Sequence, residues 1–297
     1  MQPRHAASAL FLGLLLAAPA PLFASMEDIQ AKYNESAAAM KANNLEEAAR
    51  LSGEALAMAE AELGAEAEQT GVLAYNTGVL YVTLQKWQEA RGPLEKALAA
   101  YQKNQGKDSP KLLPVMDKLQ VVYTNLRDAN AGAAMLDQKL EIVSKLKGEK
   151  SKEAADVMRD LAVAETVRGK HDKARRLQRR ALSIYEDTVG EKSAEVGGLY
   201  LSMSFTEFTD PETGASKLDT APKYQRKGIE IFESVYPLGS KQLIDLYSGM
   251  VDRMRPFAQG GGTGPFAKFM TEMEEKLAAN KAAAAEKGAT TPEVGTK

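Results

Sequence analysis

The clearest recognition chemistry in this chain lies in two short pairs. Tyr33-Asn34 and Tyr75-Asn76 stand 42 residues apart. An asparagine side chain donates and accepts, so it can pair with the backbone of an extended peptide. Lys118 and Arg159 fall on corresponding turns of the next two segments. A cation there can meet a carboxylate. The competing reading of these residues is an ordinary solvated helix face.

Other groupings offer less. Arg168, Lys170, Lys173, Arg175, Arg176, Arg179 and Arg180 form a basic run opposed locally only by Asp172. Such a run can dock an acidic partner or an anionic lipid surface, but a solvated outer face accounts for it more simply. Glu46, Glu47, Glu54, Glu60, Glu62, Glu66 and Glu68 make the N-terminal part acidic, so head-to-tail contact between molecules is conceivable. Gly260-Gly261-Gly262-Thr263-Gly264-Pro265 lacks both a preceding strand and a following Lys-Ser/Thr pair. It reads as a flexible linker over 256–265, not a phosphate loop. Asp210, Glu212 and Asp219 could meet calcium, but the EF-hand spacing is missing.

Catalytic and metal chemistry find little support. There is no cysteine, and the only histidines are His5 and His171. That leaves no thiol nucleophile, no zinc–thiolate site and no histidine-based triad. The reading is therefore non-enzymatic, with no metal and no cofactor. A net charge of −2 gives no global pull toward nucleic acid.

Residues 1–24 read as an address. Arg4 and His5 precede an apolar stretch from Ala6 to Ala18, which Pro19 and Pro21 then break before Leu22-Phe23-Ala24-Ser25. This is the grammar of a cleaved secretory signal, with cleavage placed after Ala24. Its style is that of a Gram-negative bacterium, so the expected location is periplasmic or secreted. No later stretch is long and apolar enough to span a membrane.

The elements that must position the candidate residues follow from one interval. Gly64, Gly106, Gly148 and Gly190 recur every 42 residues, as do Ala48, Ala90, Gly132 and Ala174, and Leu56, Leu98, Leu140 and Leu182. Ser109, Ser151 and Ser193 keep the same beat as helix N-caps, and Ser240 follows after 47. A period of this size marks stacked supersecondary units. The expected fold is all-α: a right-handed α-solenoid of about five helix-turn-helix repeats over 25–255, closed by a lone capping helix, Leu243 to Arg255. The five extra residues of the fifth unit fit Asp210 to Gly214. Small residues at the recurrent alanine positions let paired helices approach closely. Lys139 and Glu165 depart from that pattern, standing where other units have alanine and tyrosine. Phe266, Phe269, Met270, Met273 and Leu277 recur at helical spacing, which predicts an amphipathic helix over 266–287. That helix folds back on the repeats or carries its apolar face to a partner. The final residues, 288–297, read as a disordered tail.

Gly78, Tyr81, Ala90, Leu94 and Ala97 carry a pattern that resembles tetratricopeptide (TPR) repeats, and Gly169 matches the usual turn glycine. The 42-residue length, Asn76, Ala97-Leu98, Gly106 and Pro110 are similar to the longer kinesin-light-chain variety. The resemblance covers about Met26 to Arg255. It implies a peptide or protein partner held on a concave face built from first helices. On this chain that face would comprise Tyr33, Asn34, Tyr75, Asn76, Val79, Lys118 and Arg159. The resulting expectation is an exported TPR scaffold, part of a cell-envelope assembly, that binds neither nucleic acid nor a cofactor. The alternative is a structural subunit that self-associates through its ends or its C-terminal helix.

Overall fold

The computed structural model describes residues 25–213, 216–255 and 265–289. Residues 1–24, 214–215, 256–264 and 290–297, which include the expected signal, most of the expected linker and the expected tail, lie outside these. Twelve α-helices are present among the described residues. They run α1 Met26–Lys41, α2 Leu45–Leu63, α3 Glu68–Thr83, α4 Trp87–Gln105, α5 Leu113–Asn125 and α6 Ala129–Lys147. The series continues with α7 Lys152–Val167, α8 His171–Thr188, α9 Ala194–Thr209, α10 Ser216–Val235, α11 Lys241–Met254 and α12 Pro265–Ala289. Odd-numbered helices are first helices and even-numbered ones second helices. The chain forms two compact units, one ending at Lys107 and one beginning at Asp108.

Within each hairpin the turn is a fixed backbone device. Asn43, Gln85, Arg127 and Gly169 all have φ between 56° and 75°. They are spaced by 42. The next amide in each case reaches back to a first-helix carbonyl, as Lys86 N does to Tyr81 O and Lys170 N to Glu165 O, at 2.9 and 2.8 Å. This is the left-handed C-cap that terminates a helix while satisfying its last carbonyls. Only Gly169 has the residue type that adopts it without a steric cost.

The junctions between hairpins use glycine differently. Gly64, Gly106 and Gly148 have φ of 86°, 87° and 98° with ψ near 150°. That combination is positive but extended, a region essentially confined to glycine, not the left-handed turn expected of a helix C-cap. Ser151, Ser193 and Ser240 then cap the following helices, accepting from the third helical amide at 3.1–3.3 Å. Ser109 caps a 3-10 turn, Pro110–Leu112, before α5 begins. Pro114 has no N–H to donate to Pro110, so the first α-helical bond cannot form.

In the first unit, α1 packs on α2, α2 on α3, and α3 on α4. Ala48, Ala55, Ala59, Ala90, Ala97 and Ala100 are all fully buried. Gly78 lies so close to α4 that a Cβ there would stand 2.5 Å from Leu94 Cγ. Two buried hydroxyls, Ser52 and Thr77, pair at 2.7 Å between α2 and α3. Ser36 donates to Ala48 O at 2.7 Å. Each of these three hydroxyls thus has a partner, without which it would cost about 1–3 kcal/mol.

The second unit absorbs the two departures from the repeat pattern. Lys139 is largely buried but reaches Asp117 at 2.7 Å and donates to Gln120 at 3.0 Å. Glu165 is fully buried and lies 2.7 Å from Lys173 Nζ and 2.9 Å from Arg168. Beside it, Gln178 donates to Thr206 at 2.7 Å, and Thr206 pairs with Thr166 at 2.8 Å. The positions are polar because their partners are supplied from neighbouring helices.

The C-terminal end is a further helical hairpin, not a lone cap. α12 packs against α11. Tyr247 and Met273 are fully buried in a cluster with Ile229, Leu243, Met250 and Val251. Phe269 and Leu277 pack against that cluster, so the amphipathic helix folds back, one of its two expected fates. It starts at Pro265, expected in the linker, and runs through Gly288 and Ala289, expected in the tail. Tyr247 donates to Glu233 at 2.6 Å, and Lys276 pairs with the same carboxylate. Asn280, buried, accepts from Gly239 N at 2.9 Å.

Three outcomes are expected. Arg127→Gly removes a left-handed conformation that costs a non-glycine residue about 1–2 kcal/mol, partly offset by glycine's extra unfolded entropy. Its thermal midpoint should rise, by roughly 0.5–1 kcal/mol in stability; a fall would show that the turn is not strained. Met273→Ala should cost about 2–5 kcal/mol, read as early proteolysis of α12 and a lower unfolding transition. The third concerns acid. Burial opposes ionisation of Glu233, yet Lys276 and Tyr247 hold it below the ordinary carboxylate range. A lowered folded value means that its contribution is complete above the ordinary value and is lost as pH falls through the lowered one. Amide-exchange protection of α12 should therefore decline between about pH 5 and pH 3, and Glu233→Gln should flatten that dependence.

Candidate functional site

Among the sequence-selected residues, the structure brings Tyr33 and Asn76 together. Asn76 Nδ2, on α3, donates to the Tyr33 hydroxyl on α1 at 3.3 Å. Both side chains are half-buried, as are Tyr75 and Val79. Asn34 is exposed, and its carbonyl accepts from Gln30 at 3.0 Å, one turn earlier on α1. The 42-residue recurrence of Tyr-Asn thus places a tyrosine from one first helix against an asparagine from the next. Adjacent hairpins meet through it on their first-helix face. Asn76 still has acceptor capacity through its own carbonyl.

Lys118 and Arg159 belong to the second unit, on α5 and α7, both half-buried. Arg159 is committed internally. Its guanidinium donates to Asp160 at 3.0–3.1 Å and lies 3.6 Å from Asp156. Burial works against the Arg159 charge, but Asp160, Tyr185 and Asp156 outweigh it and hold the arginine more firmly protonated. Asp156 also accepts from the buried Tyr185 hydroxyl at 2.8 Å. Burial pushes that hydroxyl well up from the usual tyrosine range, although Arg159 opposes it. Gln120 of α5 donates to Asp160, so α5, α7 and α8 join in one polar network. Gln120, Asp156, Asp160 and Tyr185 were not selected from the sequence. No spacing signal marks them, because their partners come from helices far apart in the chain.

The basic run is neutralised in the same way. Lys173 meets Asp137 at 3.0 Å and Glu165 at 2.7 Å. Arg175 meets Glu207 at 2.8 Å and also Asp210. Arg180 meets Glu149 at 2.7 Å, and Arg168 also donates to Asn130 at 2.9 Å. Asp172 is therefore not the sole opposing charge, since neighbouring helices supply the rest. Lys170, Arg176 and Arg179 remain exposed, as does the paired Arg180.

Asp210 is buried, unlike a loop carboxylate awaiting calcium. Burial raises its pKa, but the Glu212 amide at 2.8 Å and Arg175 hold it below the ordinary range. Its two oxygens thus organise the Pro211–Thr213 turn and anchor α8 to the end of α9. Asp219 lies exposed on α10. Among the described residues no group of three or more side chains is arranged to hold a metal ion. No described helix is long and apolar enough to cross a membrane.

Comparisons with known proteins agree on the fold. Residues 28–103 and 154–195 match family models for the tetratricopeptide repeat. One similar solved structure contains nearly identical kinesin-light-chain TPR-like repeats from Podosopora anserina. It is 15% identical, with a TM-score of 0.54, over 70% of this chain and 96% of that one. Another is BtubC (BKLC) from P. vanneervenii, 19% identical with a TM-score of 0.51, over 71% of this chain and 83% of that one. No curated protein matches the chain. Helix pairs closed by the same turn every 42 residues, two matched stretches and neighbours of this architecture agree: residues 28–103 and 154–195 carry tetratricopeptide repeats, and the fold is similar to that of kinesin-light-chain TPR-like repeats.

Proposed function

We propose that this protein is a non-enzymatic, exported scaffold of the bacterial envelope that holds a peptide or protein partner on its first-helix face. TPR repeats serve as protein-interaction scaffolds, which supports the general role. The observation that carries the finer reading is the Tyr33–Asn76 bond between successive first helices. A face already cross-linked by its own side chains meets a partner with little reordering, which lowers the entropic cost of binding. On this reading the first unit contributes a patch of Tyr33, Asn34, Tyr75, Asn76 and Val79, and the second unit has its own, Lys118 and Arg159.

Export rests on the signal grammar of residues 1–24. The non-enzymatic reading rests on the family and on a sequence without cysteine and with one histidine beyond the leader. Self-association through the C-terminal helix is the weaker alternative, because the apolar side of α12 is already spent on α11.

Two measurements test this proposal. N-terminal sequencing of protein from the periplasmic fraction should begin at Ser25; an intact Met1 in the cytoplasm would remove the export reading. Affinity capture from periplasmic extract should recover a partner with the mature chain and less of it with Asn76→Ala, at an unchanged melting temperature. Equal loss of binding and stability would make Asn76 a packing residue only.

A further inference from the structure

The cations on two second helices of the second unit keep a register of their own. Arg176, Arg179 and Arg180 on α8 are matched by Lys223, Arg226 and Lys227 on α10, 47 residues later in each case. That is the interval between the fourth and fifth units, so each pair holds one position of the repeat. On α6 the same positions are Ala134, Asp137 and Gln138. Two of the six cations are spent inside the fold. Arg180 meets Glu149 at 2.7 Å, and Lys227 donates to the Tyr200 hydroxyl at 2.7 Å. Arg176, Arg179, Lys223 and Arg226 are exposed and make no ion pair among the described residues.

Both helices pack on α9. Gln178 of α8 donates to Ser202 and Thr206 of α9 at 3.1 and 2.7 Å, and Ser204 of α9 donates to the Ala221 carbonyl of α10 at 2.8 Å. The Tyr200 hydroxyl, against the cost of burial, holds the Lys227 ammonium above its ordinary range, and Glu186 of α8 adds to this. The two second helices are therefore within charge range of each other, and their four free cations lie on the solvent side of one three-helix group. Acidic side chains gather toward the far ends, at Glu186 and Asp187 of α8 and Glu230 and Glu233 of α10. Positive charge thus concentrates on the half of each helix nearest its start. Asp172 and Asp219 stand one turn before the cations, and Asp172 is held by Arg175 at 3.3 Å.

The composition of this face decides what it fits. Along α8 and α10 large apolar side chains are exposed only at or just past the C-terminal ends, at Val189 and Val235, among the described residues. A protein partner would find no aromatic or aliphatic anchor there, and such anchors carry most of the energy of a protein interface. A charged lipid surface needs none. It attracts each nearby lysine or arginine, and clusters of about four to eight such residues are enough to bind it. The chain as a whole has a net charge of −2, so the attraction is local to this face and orients it.

We infer that Arg176 and Arg179 on α8, with Lys223 and Arg226 on α10, form a cationic face that docks the protein on an anionic lipid surface. Second helices carry this face, so it does not depend on the first-helix residues assigned to a peptide or protein partner.

Co-sedimentation of the full mature chain with lipid vesicles tests the inference. One set of vesicles is phosphatidylcholine alone, the other an equal mixture of phosphatidylcholine and phosphatidylglycerol. The chain should sediment with the mixed vesicles at about 50 mM salt and be released at about 300 mM, because screening shortens the reach of exposed charges. An Arg179→Gln/Arg226→Gln variant should bind the mixed vesicles roughly tenfold more weakly, at an unchanged melting temperature. A Lys268→Gln/Lys281→Gln variant removes two exposed cations from α12 and should bind like the parent. No sedimentation, equal sedimentation with both kinds of vesicle, or equal binding by the two variants would overturn the inference. Salt-sensitive binding to polyglutamate in place of the mixed vesicles would make the occupant an acidic protein and overturn it as well. None of these outcomes bears on capture of a partner through Asn76, so the scaffold reading stands or falls separately.

Discussion

Everything in this architecture depends on how closely two antiparallel helices can approach. Ala48, Ala90 and Ala174 have no accessible surface, and Gly78 leaves no room for a Cβ against Leu94. Small residues at a crossing bring backbones together and let the flanking leucines and valines interdigitate. The turn can then be short, and a short turn with one left-handed residue fixes the hairpin's geometry. Identical hairpins stack in identical fashion, so first helices recur on one face. The Tyr33–Asn76 bond follows from that repetition.

Charge is handled by pairing across hairpins. The second unit is rich in arginine and lysine on α8, yet Lys173, Arg175 and Arg180 meet carboxylates from α6, α7, α9 and the turn before α7. Exposed pairs of this kind add little each, about 0–1 kcal/mol. Glu165 is different. It is fully buried between Arg168 and Lys173, where an unpaired carboxylate would carry a large desolvation penalty. Its cations therefore hold it in place, and they do so where other repeats use a tyrosine. Glu207, 42 residues on, holds the same position in the next repeat and meets Arg175, so two repeats have exchanged an aromatic contact for an ionic one without disturbing the hairpin.

The C-terminal hairpin shows the same logic with a longer connection. α11 offers Leu243, Tyr247 and Met250 on one face, and α12 covers them with Met273, Phe269 and Leu277. A terminal helix with an apolar face needs such a cover. Around that apolar contact, Glu233 receives both Tyr247 and Lys276, and Asn280 receives the Gly239 amide. These polar contacts set the register of α12, because apolar packing alone is not directional.

Much of the fold is legible in the residues themselves. The 42-residue beat, the serine caps, the small residues at the crossings and the amphipathic pattern after Pro265 all follow from local rules of helix formation and termination. Those rules act within a few residues, so they are written in the chain. The turn residues Asn43, Gln85 and Arg127 share one conformation with Gly169 but no residue type, so only the backbone reveals their equivalence. The polar residues at Lys139 and Glu165 looked like defects because their partners lie on other helices. The basic run looked unopposed for the same reason, and Arg159 looked available until Asp160 and Asp156 were placed beside it. By itself the sequence determined the all-α repeat, its period and most of its boundaries. Tertiary structure decided which charges are spent, which apolar side chains stay exposed and where α12 goes, since each depends on contacts between segments that local chemistry does not bring together.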